Sequence, residues 1–212
     1  DAVQAGGKLD VNFAGLGVDY LTLSAHKMGG PQGVGALIMT ADAPLEAMIK
    51  GGGQERGARS GTENVAGITG FGVAAGIAAR EIAHFDEIRI MRDGLERELL
   101  KIAPDARVVG AEAERLPNTS CISLNGLDGE SQVMGLDLEN VCIGSGAACS
   151  SGKVKTSHVL AAMGLDAGAA DCAIRVSLGW NTEAKDVARF LEAWGALYAR
   201  TRERRAQRQS AA

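Results

Sequence analysis

Residues 24–35 read SAHKMGGPQGVG, and the overlapping run DYLTLSA (19–25) alternates polar and apolar residues as a strand does. Lys27 thus stands beside His26 where a strand ends, and glycines follow it. A buried amine loses hydration energy, so it needs a partner or a covalent use. The plain alternative is a strand that ends at the surface, with Lys27 in water. Either way the stretch sets the local fold. VGALIMT (34–40) reads as a second strand, and HKMGGPQG as the turn chemistry between the two. Both strands read as central, buried ones whose covering partners are not in this sequence, so this chain by itself is expected to expose apolar surface.

Outward from those two strands, GGGQERGARSGT (51–62) holds too many glycines for a helix and reads as an extended loop. Residues 63–103 then read as helical. Val73, Ile77, Ile82, Phe85, Ile88, Met91, Leu95, Leu99 and Ile102 recur at intervals of three to five, and Pro104 closes the run. A second pattern follows: a strand at 119–124, a helix at 129–139, a short strand at 141–143, and the loop GSGAACSSGKVK. The helix SHVLAAMG comes next with Gly164 as its cap, then the strand AIRVSLG (173–179) and a helix N-capped by Thr182. Strands alternate with helices, which predicts an α/β protein. The expected division lies within the helical stretch, separating residues 1–80 from 81–212, with a functional loop at 144–156.

Of the 212 residues, 46% are hydrophobic and 23% charged, an ordinary balance for a globular chain. The net charge of −4 argues against direct nucleic-acid binding. ARTRERRAQR (199–208) is locally basic and reads as a solvated helix end. No apolar run reaches the roughly 18 to 20 residues of a membrane span, and no secretory pattern opens the sequence. Cys121, Cys142, Cys149 and Cys172 form no CxxC pair and share no metal-ligand spacing with the histidines. Reduced thiols in a cytoplasm, no membrane contact and no metal are therefore expected. The chain opens at Asp1 inside a segment, DAVQAGG, that reads as structured, so a longer polypeptide is expected.

Four places carry candidate chemistry. Lys27 can condense with an aldehyde cofactor such as pyridoxal phosphate. Ser24 and His26, at alternating strand positions, can both donate to a phosphate. Such a cofactor needs a carboxylate for its ring nitrogen. Asp1 can supply one, with Gln4 nearby, or can be a helix cap. Cys149 lies among small residues in a loop expected to be exposed, as a nucleophile or as an incidental thiol. Cys121, Cys142 and Cys172 sit by apolar runs and read as buried and inert. Arg175, in an apolar strand, wants a carboxylate, either a ligand's or one of the chain's own. His84 and His158 read as structural.

These segments, in this order, resemble the cysteine desulfurases of the NifS/IscS type, pyridoxal-phosphate enzymes of fold type I. DAVQAGGK resembles the segment with the ring-nitrogen aspartate and a glutamine near the ring oxygen, which implies those roles for Asp1 and Gln4. LSAHKMGGPQGVGAL resembles the Schiff-base segment, implying cofactor attachment at Lys27 and phosphate contacts from Ser24 and His26. GGGQERGARSGTEN resembles a loop whose threonine reaches the neighbouring subunit's phosphate, hence Thr62 and a homodimer. SGAACSSGKVKTSHVLAAMGL resembles the persulfide loop, hence Cys149, and IRVSLGW the strand that grips the substrate carboxylate, hence Arg175. The resemblance implies a partial large domain with a mixed, mainly parallel sheet, then a small α/β domain. It further implies L-cysteine as substrate, alanine as product, and a sulfur acceptor such as an iron–sulfur scaffold. The family's N-terminal stretch is not in this sequence, which leaves the activity of these residues by themselves open. Another enzyme of that fold (a selenocysteine lyase or an aminotransferase) and a non-catalytic dimerisation or docking module are the alternatives.

Overall fold

The computed structural model describes residues 1–146 and 156–210. Within it the chain forms two compact units, Asp1–Phe85 and Asp86–Ala212. In the first, a short helix α1 (Phe13–Leu16) precedes two strands, β1 (Tyr20–Ser24) and β2 (Gly35–Met39), and then α2 (Val65–Glu81). The strands pair antiparallel, from Tyr20 opposite Met39 to Ser24 opposite Gly35. The expected strands thus form, and apolar side chains on them are left uncovered as expected: Leu21 is enclosed, whereas Tyr20, Leu37 and Ile38 are exposed.

Helix α2 begins where the Asn64 side chain accepts the Gly67 N–H at 3.1 Å. That bond satisfies one of the donors a helix start leaves open. Gly67 also lets α2 come close, because a Cβ there would collide with Val34 Cγ2. The face so buried is that of Phe71 and Ala74, not that of Val73 and Ile77. The single helical run expected over 63–103 is therefore two helices. The chain turns at 82–83 before α3 (His84–Ile102), which buries Ile88, Leu95 and Leu99.

In the second unit, α3 is followed by β3 (Arg107–Val108), β4 (Thr119–Ser123), α4 (Gly129–Asp137), β5 (Gly144–Ser145), α5 (His158–Ala162), α6 (Ala167–Asp171), β6 (Ala173–Ser177) and α7 (Ala184–Ser210). The sheet order is β3-β4-β6-β5, with antiparallel pairing throughout. The mainly parallel pairing expected of the large domain is not found among the described strands.

Ile122 of β4, Ile174 of β6, Leu136 of α4 and Trp194 of α7 are almost fully buried, with α4 packed on α7 and on the sheet. The Trp194 indole donates to Gln132 Oε1 at 2.8 Å. The Gln132 amide in turn donates to the carbonyls of Leu127 and Cys172, so this polar group is satisfied inside the core. A second buried network joins Arg115 to Glu96 through two bonds of 2.8 and 3.0 Å, with Arg92 enclosed beside them.

Two local expectations fail for identifiable reasons. The Val141 N–H is spent on Leu136 O at the end of α4, and Asn140 turns left-handed at φ 58°. Pairing thus starts at Gly144 rather than at 141. Thr182 Oγ1 accepts the Gly179 N–H instead of capping α7. The Asp186 carboxylate caps the Glu183 N–H, which starts the helix one residue later. Among the described residues, no single helix is long and apolar enough to cross a membrane.

Candidate functional site

In the first unit, the Ala2 N–H donates to Thr22 O at 3.0 Å and seats the start of the chain along β1. Asp1 Oδ1 there accepts the Val3 N–H at 2.8 Å and the Thr22 hydroxyl at 3.0 Å. Asp1 is no helix cap. Both bonds fall on one oxygen, and the residue is exposed. Gln4, also exposed, gives its carbonyl to Lys8 Nζ at 2.8 Å. Gly6 brings this segment down onto the strand, since a Cβ there would lie 2.7 Å from Leu23 Cδ2.

Lys27 is not on the strand. The chain leaves β1 at Ser24 and coils into a 3-10 turn, Ala25–Met28, closed by Gly29 at φ 84° with its N–H on Ala25 O. Ser24 and His26 still meet, Ser24 Oγ lying 2.8 Å from His26 Nδ1. The turn, not strand alternation, brings them together. Lys27 follows directly, its side chain exposed. Thr62 is exposed ahead of α2; among the described residues no hydrogen bond joins it to Ser24, His26 or Lys27.

Lys8 was missed by the sequence reading. Its amine is pushed below the ordinary lysine range, first by burial and then by the charge of Lys27. The signal available was its place directly after the two glycines of AGGK.

In the second unit, Arg175 lies in the middle of β6. Its Nε is buried without a hydrogen-bond partner, and among the described residues it forms no ion pair. The alternative of an internal salt bridge is thus not met there. Gly144 stands opposite it on β5, where a Cβ would approach Arg175 Nη2 to 3.2 Å. On the other side, Cys121 faces it from β4. Burial pushes the Cys121 thiol up, and the charge of Arg175 only partly offsets this, so the thiol stays protonated. Cys172 is buried, as expected, but Cys142 is exposed. It precedes the strand instead of lying in it. Cys149 falls outside the described residues.

Residues 1–190 match the aminotransferase class-V family, and the chain belongs to it. Within that class the resemblances are narrower. The chain is 47% identical over 192 residues to a cysteine desulfurase of Cereibacter sphaeroides, covering 91% of this chain and 49% of that protein. It is 44% identical over 207 residues to a cysteine desulfurase of Sinorhizobium fredii, covering 97% and 53%. The crystal structure of a NifS-like protein from Rickettsia africae superposes with a TM-score of 0.84 at 38% identity, over 94% of this chain and 52% of that one. The fold is therefore the α/β, fold-type I one expected from the sequence. The chain spans about half the length of the relatives it matches.

Proposed function

We propose that the protein carrying this chain is a pyridoxal-phosphate-dependent cysteine desulfurase. The observation that carries the reading is Lys27, an accessible amine directly after the hydrogen-bonded Ser24–His26 pair, in a chain so similar to cysteine desulfurases. The donor set fits the cofactor. Lys27 offers the amine, Ser24 and His26 hydrogen-bond donors for the phosphate, and Asp1 an exposed carboxylate for the ring nitrogen. Gln4 is assigned to the ring oxygen, and Thr62 to the phosphate of a neighbouring subunit in a homodimer. When bound, pyridoxal phosphate supplies an electron sink that lets the α-proton of an amino acid depart.

The chain's own residues do the rest. Arg175 takes the carboxylate of L-cysteine, with its buried, unpartnered Nε as the supporting observation. The Lys27 amine carries the proton. The Cys149 thiolate attacks the substrate sulfur, breaking its bond to carbon and forming an S–S bond. The net change is L-cysteine plus the Cys149 thiol to L-alanine plus a Cys149 persulfide. The sulfur then passes to an acceptor, such as a scaffold for iron–sulfur clusters, in the cytoplasm. In this reading residues 1–80 are the second half of the cofactor domain. Residues 81–212 are the linking helix and small domain, with the thiol loop at 144–156.

The test uses the whole protein with pyridoxal phosphate and L-cysteine. Wild type should release alanine and carry one reducible sulfur on the peptide containing Cys149. Lys27→Ala should lose the visible absorbance of lysine-bound cofactor. Cys149→Ser should keep that absorbance while alanine falls to background. Normal alanine release by Cys149→Ser would sink the reading. A keto acid in place of alanine would mean an aminotransferase, and failure to bind cofactor a non-catalytic module.

A further inference from the structure

The loop before Thr62 is built from residues that do not hold a shape unaided. Residues 49–62 read IKGGGQERGARSGT, with five glycines, and glycine loses more freedom on ordering than any other residue. Yet the loop is closed and bent. The Ser60 N–H donates to Ile49 O at 3.0 Å and shuts its base. Glu55 and Arg56 stand at φ 50° and 56°. Residues with side chains enter that region only when their surroundings hold them there.

Arg59 is the side chain that ties the loop. Its Nη1 donates to the carbonyls of Ser60 at 3.1 Å and Gly61 at 3.2 Å, and Nη2 reaches Glu55 Oε1 at 3.5 Å. The carboxylate contact is long, and both side chains are 40% or more exposed, so it contributes little. The two carbonyl bonds, donated by a cation, are the stronger ones. The second has a geometric consequence. Gly61 O and the Thr62 N–H belong to one planar peptide unit, so a grip on that oxygen sets the plane from which Thr62 projects. Gly61 itself, at φ 94°, would otherwise let the chain swing.

We propose that Arg59 is a positioning residue that presents Thr62, through the Gly61–Thr62 peptide plane, to the phosphate of a neighbouring subunit's cofactor. This rests on the reading of Thr62 given above. The arginine acts on the threonine and does not itself hold the phosphate, because its Nη1 is committed to carbonyls.

The experiment compares Arg59→Ala, Arg59→Lys, Thr62→Ala and the Arg59→Ala/Thr62→Ala double variant in the whole protein. Without cofactor, hydrogen exchange should quicken about tenfold at the Gly57, Ala58 and Ser60 amides of Arg59→Ala, while α2 amides keep their protection. Affinity for pyridoxal phosphate, titrated by absorbance, should fall about ten- to a hundredfold in Arg59→Ala, the range that losing charge-assisted bonds produces. Thr62→Ala should lose as much. The double variant should be no weaker than Thr62→Ala alone, because the arginine works through the threonine. Arg59→Lys should fall between, having the charge without the fork. Unchanged exchange at Ser60 in Arg59→Ala, or affinity losses that add in the double variant, would overturn the proposal and leave the Thr62 reading standing. Full cofactor affinity in Thr62→Ala would overturn the Thr62 reading instead.

Discussion

The two units make opposite use of their apolar residues. The second encloses Trp194, Ile88, Leu95, Leu99, Ile122, Leu136 and Ile174 almost completely, around a four-stranded sheet. The first encloses few large side chains, chiefly Leu21 and Phe71, with Ala2, Ala25 and Ala74 beside them. Its Leu37, Ile38, Ile49, Val65 and Val73 are exposed, and Met48 is 97% so. Two strands with one short and one long helix bury too little to offset the entropy of ordering some eighty residues. Catalytic chemistry is expected in both, but only one is built as a self-sufficient core. In the function proposed above, the cofactor contacts would come from a turn and a loop of the first unit, whereas Arg175 stands in the middle of a sheet in the second.

The largest effect expected from this contrast is whether each unit folds by itself. Cut at the 82–83 turn, residues 84–212 should give one cooperative urea transition. Residues 1–83 should give none and should bind a dye that reports exposed apolar surface. A cooperative transition in the first fragment would break the comparison, because its exposed apolar residues would then need no cover.

The second unit's core can be broken through its charges. Glu96 faces both Arg115 and Arg92, and all three are at least mostly buried. Glu96→Gln takes the bonded carboxylate from Arg115 and leaves Arg92 with Asp93 alone, at a cost of about 3 to 5 kcal/mol. Burial alone would push the Glu96 carboxyl up. The two hydrogen bonds from Arg115, with the charges of Arg115 and Arg92, outweigh it and hold the group below its ordinary value of 4.5. The folded state therefore gives up this proton more readily than the unfolded one. The stabilisation is complete above pH 4.5 and is lost as pH falls through the depressed folded value. Urea midpoints of wild type and Glu96→Gln should converge on acidification below that point. A gap that stays constant would show that Glu96 acts by shape and not by charge.

How much of this was legible in the sequence depends on whether the evidence is local. Strand alternation before Lys27 and the glycines after it are local, and both strands and the turn between them were found, though not their antiparallel pairing. Arg175 stood out for the same reason, since a cation in AIRVSLG is anomalous without reference to anything else. Burial is not local. VGALIMT reads as buried by composition, yet β2 has little to pack against in this chain. Periodicity likewise ran through the turn at 82–83, because apolar spacing carries no mark of a change in direction. The roles of Asp186 over Thr182 and of Lys8 beside Lys27 depend on which groups meet once the backbone is set. Arg59 was invisible for the same reason: its partners are carbonyls, which every residue has.

A smaller effect separates substrate from cofactor. Arg175→Ala should raise the KM for L-cysteine roughly 30- to 1000-fold, as loss of a charge-assisted fork worth about 2 to 4 kcal/mol would. Cofactor absorbance, assigned in the proposed function to Lys27, should stay normal. Arg175→Lys should recover only part, because an ammonium cannot grip both oxygens in the plane of the fork. An unchanged KM would remove Arg175 from the site and leave its buried Nε without an account.

The smallest effect is also the most direct test of the contrast, because the same bond occurs in both units. Asn64 caps α2 through Gly67 N–H at 3.1 Å, and Asp128 caps α4 through Ser131 N–H at 2.9 Å. Replacing either by alanine costs about 1 kcal/mol. In the second unit α4 packs on α7 and buries Gln132 and Leu136, so its first turn is tied to the core. The loss in Asp128→Ala should therefore appear in global unfolding, as a lower urea midpoint with unchanged slope. In the first unit only Gly67 of the turn that opens α2 is buried, while Val65, Ala66 and Ile68 are exposed, Val65 by 67%. Asn64→Ala should instead leave the main transition in place and quicken hydrogen exchange only in the first turn of α2, a local opening. Equal shifts of one shared transition by both variants would show that the two units unfold as one.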